Sequence, residues 1–474
     1  MPIALVRPFV GVLIFSFISF ANLHRLSWGF ASTIPWAYIA VGATLIGCIV
    51  AAEPKRLTVN PTMALIAAFI VCITVTSIVA LAPADLVWAK WAQVAKVFFF
   101  LLVTAALVND RYRIHAMIWL IVISLGYYGV KGGGFTLITG GGGRVLGPPS
   151  SMVADNNHLA AALLVTMPMM NYLRLQSAHR VIRIGLTAAM VLTLFSIVGS
   201  YSRGALIGLA AVSVVLWLRS PHKLVTAVLV IVLVAAVLSV MPPAWMDRMM
   251  TLRDAEQTSS GQSRMAIWHA AWNMAVARPF TGAGFMAPYT SELVAIYAPG
   301  TTARAVHSIW FEVLGENGFV TFAVWLSITI TAVVNSFRII RDCRDIPELT
   351  WCRDLARMMQ ISIVAYVVAG TFLSLCYWDC YFTLLVVLAA TRVQVASVVR
   401  RRAADAAPMT WRKRGDGTSP LPDPGADADA VGWGGISPAR GGVAAGLTTT
   451  SPSPARVLPW RERKGRTPGM GLHG

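Results

Sequence analysis

Residues 223–240 read KLVTAVLVIVLVAAVLSV, a stretch whose one charge stands at its first position. A helix of that length rises about 27 Å, close to the ~30 Å hydrocarbon core of a bilayer. It is apolar on every side, so no polar face is left for water, and such a helix lies within lipid or deep inside a protein. Working outward, similar runs recur at about 6–21, 34–52, 62–82, 88–108, 114–130, 158–175, 182–199, 203–218, 308–337, 355–375 and 381–398. The run at 308–337 exceeds one straight crossing, and Gly315 and Gly318 are expected to divide a short interfacial helix from the crossing itself. The predicted fold is an all-α polytopic membrane protein of about twelve transmembrane helices, with a large outside loop between spans nine and ten.

Composition supports this reading. The chain has 474 residues, 56% of them hydrophobic and only 13% charged, with a mean hydropathy of +0.65. A soluble domain of this size would need more charge to cover its surface. The net charge of +18 raises the question of nucleic acid, and its distribution answers it. With the N-terminus cytoplasmic and sides alternating, the inside segments carry Arg7, Lys55, Arg56, Arg111, Arg113, Arg174, Arg180, Arg183, Arg219, Lys223, the 338–357 arginines and Arg400, Arg401 and Arg402. The outside turns hold Arg25, Lys90, Lys131, Arg144 and Arg203. That asymmetry is the positive-inside rule, with both termini inside. The basic balance therefore describes topology, and no nucleic acid partner is expected.

Arg7 followed by an apolar run ending Ser19-Phe20-Ala21 has the outline of a signal peptide. A retained helix is expected, because cleavage would leave an odd number of spans. Cys48 and Cys72 fall in spans, and Cys343 and Cys352 in an inside loop; Cys376 and Cys380 flank a short outside turn, where a pairing is one alternative.

The expected organisation is an N-terminal transmembrane region over 1–240, a loop over 241–306, a C-terminal transmembrane region over 307–402 and a disordered cytoplasmic tail over 403–474. The tail is rich in Pro, Gly, Ala and Ser without apolar periodicity. Within the first region, residues 131–157, KGGGFTLITGGGGRVLGPPSSMVADNN, are expected to form an outside loop whose glycines and paired prolines exclude regular helix; Asp155, Asn156 or Asn157 then caps the next span. Within the long loop, SRMAIWHAAWNMAVARPFTGAGF (263–285) has helical spacing, with Met265, Trp268, Trp272 and Ala275 on one face, Ser260 or Ser263 as cap and Pro279 as stop. An interfacial helix anchored by tryptophans accounts for that pattern by itself.

Three polar residues at the outside face ask for more. Arg203 stands in the SYSRG turn (200–204), Arg264 opens the loop helix, and His307 begins HSIWFEVLGENGF (307–319), followed by Glu312 and Glu316. Alone, an arginine there snorkels to headgroups and a histidine hydrogen-bonds. Together they suit a lipid diphosphate: guanidinium groups bind phosphate oxygens in pairs, and a histidine accepts a proton near neutral pH. The histidines are scattered, and no HExxH, G-x-S-x-G or P-loop pattern is present.

The motifs SYSRGALIGL, SRMAIWHAAWNMAVARPFTGAGF and HSIWFEVLGENGFVTF, in that order, resemble the core of the O-antigen ligase superfamily of bacterial inner-membrane glycosyltransferases. NLHRLSWGFA (22–31) and YYGVKGGGFTLITGGGGRVLGPPSSMVADNN (127–157) are similar to the exosortase-associated O-glycosylation ligases. The resemblance spans about 6–400. It implies transfer of a glycan from undecaprenyl diphosphate to an acceptor hydroxyl (of a protein, lipid or polysaccharide) at the periplasmic face, without metal, nucleotide or other cofactor. It places the diphosphate on Arg203 and Arg264 and the activating base at His307. Ser308 departs from the asparagine that many ligases of the wider superfamily carry after this histidine. Lys131, Arg144 and Asn156 are expected to line the glycan path, with Glu312 or Glu316 orienting His307 or the acceptor; Glu316, inside the Gly-Glu-Asn-Gly break, has the more structural setting. Two alternatives accompany this reading. A polysaccharide polymerase would use the same donor chemistry. A transporter or flippase would use polar groups inside the bilayer, of which Gln93, Lys96 and Gln360 are the candidates.

Overall fold

Pro8 has no backbone N–H to continue a helix through it. In the computed structural model the first apolar run is accordingly two helices, α1 (Pro2–Val6) and α2 (Pro8–Ala21), and not one span over 6–21. The structure describes residues 2–26, 34–53, 55, 60–250 and 259–406. Residues 27–31 of the NLHRLSWGFA stretch, Arg56, the side chain of Ser260 and the tail from 407 lie outside the described residues.

The remaining long helices follow the expected runs: α3 (Trp36–Val50), α4 (Pro61–Ile78), α5 (Ala84–Leu107), α6 (Arg111–Ile138), α7 (Asn156–Gln176), α8 (Arg180–Gly199), α9 (Arg203–Arg219) and α10 (Lys223–Val240). The long loop holds α11 (Pro243–Met250), α12 (Ser259–Ala277) and α13 (Ser291–Tyr297), after which come α14 (Ile309–Asp342), α15 (Thr350–Gly370) and α16 (Asp379–Ala406). The described residues contain no strand. Helices α4, α5, α6, α8, α10, α14 and α16 are long and apolar enough to cross a membrane, and α2 and α3 are shorter apolar helices. With α7, α9 and α15, every one of the twelve expected runs falls on a helix, and the chain is an all-α multi-pass membrane protein.

The 131–157 expectation needs correction. Helix α6 continues through Lys131 and Gly132–Gly134 to Ile138, and the irregular segment is only 139–155. The glycines serve helix packing. A Cβ on Gly133 would stand 1.9 Å from the Leu192 carbonyl oxygen, and one on Gly129 or Gly132 would meet Thr193 or Ser196 at 2.4 Å. Small residues on α6 let α8 approach backbone to backbone, as membrane helices require when no water drives them together. A run of three glycines reads as loop only where nothing packs against it.

Polar side chains cap the helices where the sequence supplies them. Asn60 accepts from Met63 N at 3.1 Å, Asp110 from Arg113 N at 2.9 Å, Asp155 from Asn157 N at 2.8 Å and Ser202 from Ala205 N at 3.2 Å. Ser263 lies inside α12 and does not cap it, and the helix ends at Ala277, two residues before Pro279. α7 and the middle of α16 are buried at the centre of the bundle, whereas α10 exposes Leu224, Leu229 and Ile231 on its lipid-facing surface. Gln360, an in-membrane candidate, is buried and donates to Ser336 Oγ at 2.8 Å. All six cysteines are free thiols, and Cys376 and Cys380 are both buried without forming a disulfide.

Some of the charges at the basic end of the bundle are paired. Arg113 meets Glu53 at 2.5 Å, and Arg392 meets Asp342 at 2.6 Å. At the opposite end, the 279–286 segment crosses α14 where it kinks. Gly318 breaks the helix with φ 73°; there Phe319 N donates to the Pro279 carbonyl, and Ala283 and Gly284 donate to the carbonyls of Gly315 and Glu316 at 2.9 Å. Gly282 and Gly318 both have positive φ, and a Cβ on either would meet backbone of the other's segment within 2.8 Å. The kink thus docks the long loop onto the bundle.

Candidate active site

The SYSRG turn is short, polar and placed between two spans, so its backbone groups must be satisfied locally. Three neighbouring segments do so. Asn156 Nδ2 at the start of α7 donates to the Ser200 carbonyl at 2.6 Å, and Val145 N donates to the Gly199 carbonyl at 3.1 Å. From α11, Trp245 Nε1 donates to Val198 O at 3.0 Å and Arg248 Nε to Tyr201 O at 3.2 Å. Tyr201, at φ 60°, sends its hydroxyl to the Gly141 carbonyl at 2.6 Å. Ser202 then caps α9, which leaves Arg203 as its first residue, half-buried at this end of the bundle.

His307 is held from two sides. Trp268 of α12 stacks on Phe311 with centroids 5.3 Å apart and donates its Nε1 to the Val306 carbonyl at 2.8 Å. The His307 backbone N–H donates to Ser374 Oγ at 3.0 Å. Between these bonds His307 adopts φ 50°, a left-handed conformation uncommon for a residue with a side chain, so its ring direction is fixed by its surroundings. Arg264 lies about one turn before Trp268 on α12, and Arg304 Nη1 donates to Ser263 Oγ at 2.6 Å beside it.

These groups feel one another's charge. Burial, followed by Arg264, His158 and Arg304, pushes the His307 imidazole down to about 4, against the pull of Asp155. Arg264 is lowered by burial and then by Arg203 and Arg304. Arg248 is lowered by burial and then by Arg144 and Arg203. Asp155 is the counter-charge: its hydrogen bond with His158 (3.5 Å), and its bonds with Asn157, hold its carboxyl well below the usual range. The cluster therefore joins five arginines and two histidines to one carboxylate. It is strongly cationic, partly buried and fed by neutral histidine, which suits a polyanion next to a proton acceptor.

Beneath His307 lies a second polar layer. Tyr289 OH reaches Glu312 at 3.4 Å, and Tyr377 OH donates to Glu316 at 2.8 Å. Asn317 Nδ2 donates to Tyr377 OH at 2.8 Å, Thr76 donates to Asn317 Oδ1 at 2.9 Å, and Met286 N donates to Glu316 Oε1 at 3.2 Å. Glu312 Oε2 and Ser308 Oγ are buried without a hydrogen-bond partner among the described residues. Burial and the Glu312 carboxylate, the latter foremost, push the Tyr289 phenol far up, so it stays a donor.

The structure thus brings together Arg203, Arg264 and His307 from three separate segments. Arg144 joins them through Arg248. Asn156 serves the site from below, as the side chain that ties the SYSRG turn. Glu312 and Glu316 are buried supports whose described partners are tyrosines and backbone, not the His307 ring. Lys131 is exposed on α6, with no hydrogen bond or ion pair to the cluster among the described residues. Sequence reasoning missed Arg248, Arg304 and His158, and saw Asp155 only as a cap. Arg304 stands three residues before His307 and Arg248 just past span nine, so chain position at the same membrane face was the available signal.

Residues 188–326 match the O-Antigen ligase family, a segment that includes Arg203, Arg264, Arg304 and His307. Residues 1–178 match a family of unknown function (DUF5935), which holds the 139–155 segment, Asp155 and His158. No curated protein matches the chain. The cationic cluster is assembled across both matched segments.

Proposed function

We propose a specific reaction, which the match of residues 188–326 to the O-Antigen ligase family supports as a ligase- or polymerase-like function of this multi-pass membrane bundle. The chain transfers a glycan from an undecaprenyl-diphosphate carrier to an acceptor hydroxyl at the periplasmic face of the inner membrane, with both termini cytoplasmic. The observation that carries this reading is the convergence of Arg203, Arg264 and His307 in one cationic cluster with a single carboxylate.

Arg203 and Arg264 grip the diphosphate oxygens. His307 accepts the proton of the acceptor hydroxyl as that oxygen attacks the anomeric carbon from the side opposite the leaving group. The bond between the anomeric carbon and the diphosphate oxygen breaks, and the electron pair leaves with the diphosphate, where the arginines meet the growing negative charge. The two charges are coupled. Without donor, Arg264 and Arg304 oppose protonation of His307; a bound diphosphate offsets them and raises the basicity of the ring when it is needed. His307 is thus a stronger base in the loaded site than in the empty one.

Transfer by purified protein from a defined undecaprenyl-diphosphate glycan tests the reading. Arg203→Ala, Arg264→Ala and His307→Ala are expected to abolish transfer while the protein inserts normally; wild-type transfer by all three would remove the mechanism. A polymerase, with a second lipid-linked glycan as acceptor, needs the same clamp. Glycan length on the carrier in a deletion strain separates the two: long chains accumulate without a ligase and disappear without a polymerase.

A further inference from the structure

A cavity of about 290 Å³ opens at the same end of the bundle, lined by α2, α5, the 150–153 segment and the start of α16. Neither Arg203, Arg264 nor His307 lines it. From α5 come Lys90, Gln93 and Lys96, from the end of α2 comes Asn22, and facing them are Trp378 and Asp379. The three α5 residues span about 9 Å along the helix axis at 1.5 Å per residue. On the α2 side Phe15 and Phe20 line it, and Phe15 packs on Phe100 with ring centroids 4.0 Å apart.

Its charges are balanced, which decides what it suits. Lys96 lies within reach of Asp379 and over the Tyr38 ring at 4.4 Å. Lys90 lies within reach of Glu316 and Glu312 and over the Tyr377 ring at 5.6 Å. Asp379 accepts from Ser19 and from Cys380 N. Neither ammonium has a hydrogen bond or ion pair among the described residues, and both residues line the cavity. Two lysines and Asp379 line the cavity, and the buried Glu316 and Glu312 act on Lys90 from behind the wall, so carboxyls match the ammonium groups here as they do not in the arginine cluster. An apolar ligand would not need six polar groups. A ligand that both donates and accepts at many positions, and has apolar faces to lie against an indole, fits the mixture: an uncharged sugar ring.

We infer that this cavity is a sugar subsite, binding one or two uncharged sugar units of the glycan, separate from the diphosphate clamp. The inference deepens the transfer reading and rests on it for the source of the sugar. The wall of the cavity also belongs to the reaction centre: Tyr377 bonds Glu316, and Ser374, three residues earlier, holds the His307 backbone. Occupancy of the cavity can thereby set the position of the acceptor base.

The test is saturation-transfer NMR on the purified full chain with an equimolar mixture of glucose, galactose, rhamnose and N-acetylglucosamine, with glucuronate as an acidic comparator. At least one neutral sugar is expected to receive saturation, undisturbed by inorganic pyrophosphate and retained in Arg203→Ala. Lys96→Met and Gln93→Leu are expected to weaken the signal about tenfold, the loss of one charge-assisted or neutral hydrogen bond set. Gln93 is exposed to the cavity, so its variant tests the wall without burying a new charge. No signal from any neutral sugar, displacement by pyrophosphate, preference for glucuronate, or equal signal in both α5 variants would overturn the subsite. If Arg203→Ala still transferred glycan, the clamp would fail while the sugar signal stood; loss of the sugar signal with arginine-dependent transfer intact would remove the cavity alone.

Discussion

Two polar regions share one end of this bundle, and they differ in how charge is handled. The arginine cluster gathers five guanidinium groups and two histidines around Asp155, where burial first and like charges second lower Arg264, Arg248 and His307. The α5 cavity sets Lys96 against Asp379 and Lys90 against Glu316. A cluster of unbalanced charge is stable only if something of opposite sign visits it, and the frustration of the empty site becomes affinity in the loaded one. A balanced cavity gains little from an ion and more from a ligand that replaces water at each polar group. Under the proposed reaction, that difference would divide one substrate, with the charged linkage at the arginines and the neutral rings at α5.

The sharpest way to break that division is to remove the charged side. His307→Ala removes the proton acceptor and Arg264→Ala one of the two clamps; each is expected to reduce transfer by about 10²–10³-fold or more in a lipid-linked donor assay. Comparable losses from Gln93→Leu would erase the distinction between the regions. A finer cut is Arg203→Lys, which keeps the charge but loses the paired donors. A loss of about tenfold to a hundredfold, read in the same assay, would show that two-pronged contact matters beyond charge. An unchanged rate would reduce Arg203 to a point charge.

How the chain builds each region explains what could be read from it. The spans were legible because bilayer thickness imposes a length on every run, and the SYSRG, Arg264 and His307 motifs were legible because they place polar residues at the outside face, between or beyond the apolar runs. The α6 glycines were not legible, since a glycine run has the same composition whether it makes a turn or a close helix contact with Leu192. Arg248, Arg304 and His158 were also hidden. Each belongs to an unremarkable local pattern, and only the folding of α7, α11 and the coil before α14 brings them into one charge cluster with Arg203, Arg264 and His307.

Positioning should show smaller effects than chemistry. Trp268→Phe keeps the ring stack on Phe311 and removes the donor to Val306 O. Transfer is expected to fall about tenfold through a looser His307, with donor affinity unchanged. A larger fall in donor binding than in turnover would move Trp268 from positioning to substrate contact. The charge coupling has its own readout. In the donor-free protein the His307 ring is neutral down to about 4. Because its folded value lies below the ordinary 6.5, stability is lost as pH falls from about 6.5 toward 4 and is unaffected by this group above that window. Arg264→Gln removes the largest charge acting on the ring, so His307 should titrate at a higher pH by histidine-resolved NMR, though still below 6.5 because burial persists. A titration that stays in place would mean that burial alone sets the ring, and that a bound diphosphate cannot strengthen the base.

The smallest expected effect belongs to Lys131, and it tests the comparison at its edge. Charge and chain position placed it beside Arg144 on the glycan path. In the fold it is one residue before the glycines that face α8, and the face opposite a helix contact points away from the bundle. A lysine there keeps its ammonium near the interface by extending along the helix, and its charge belongs to membrane anchoring. Lys131→Ala should therefore leave transfer within about twofold of wild type, while Gly133→Leu, two positions on, should collapse the α6–α8 contact and the protein's yield in the membrane. If Lys131→Ala instead reduced transfer as Arg203→Lys does, the cationic site would extend along α6 beyond the arginines, and the boundary drawn between the charged linkage and the neutral rings would have to shift toward α6.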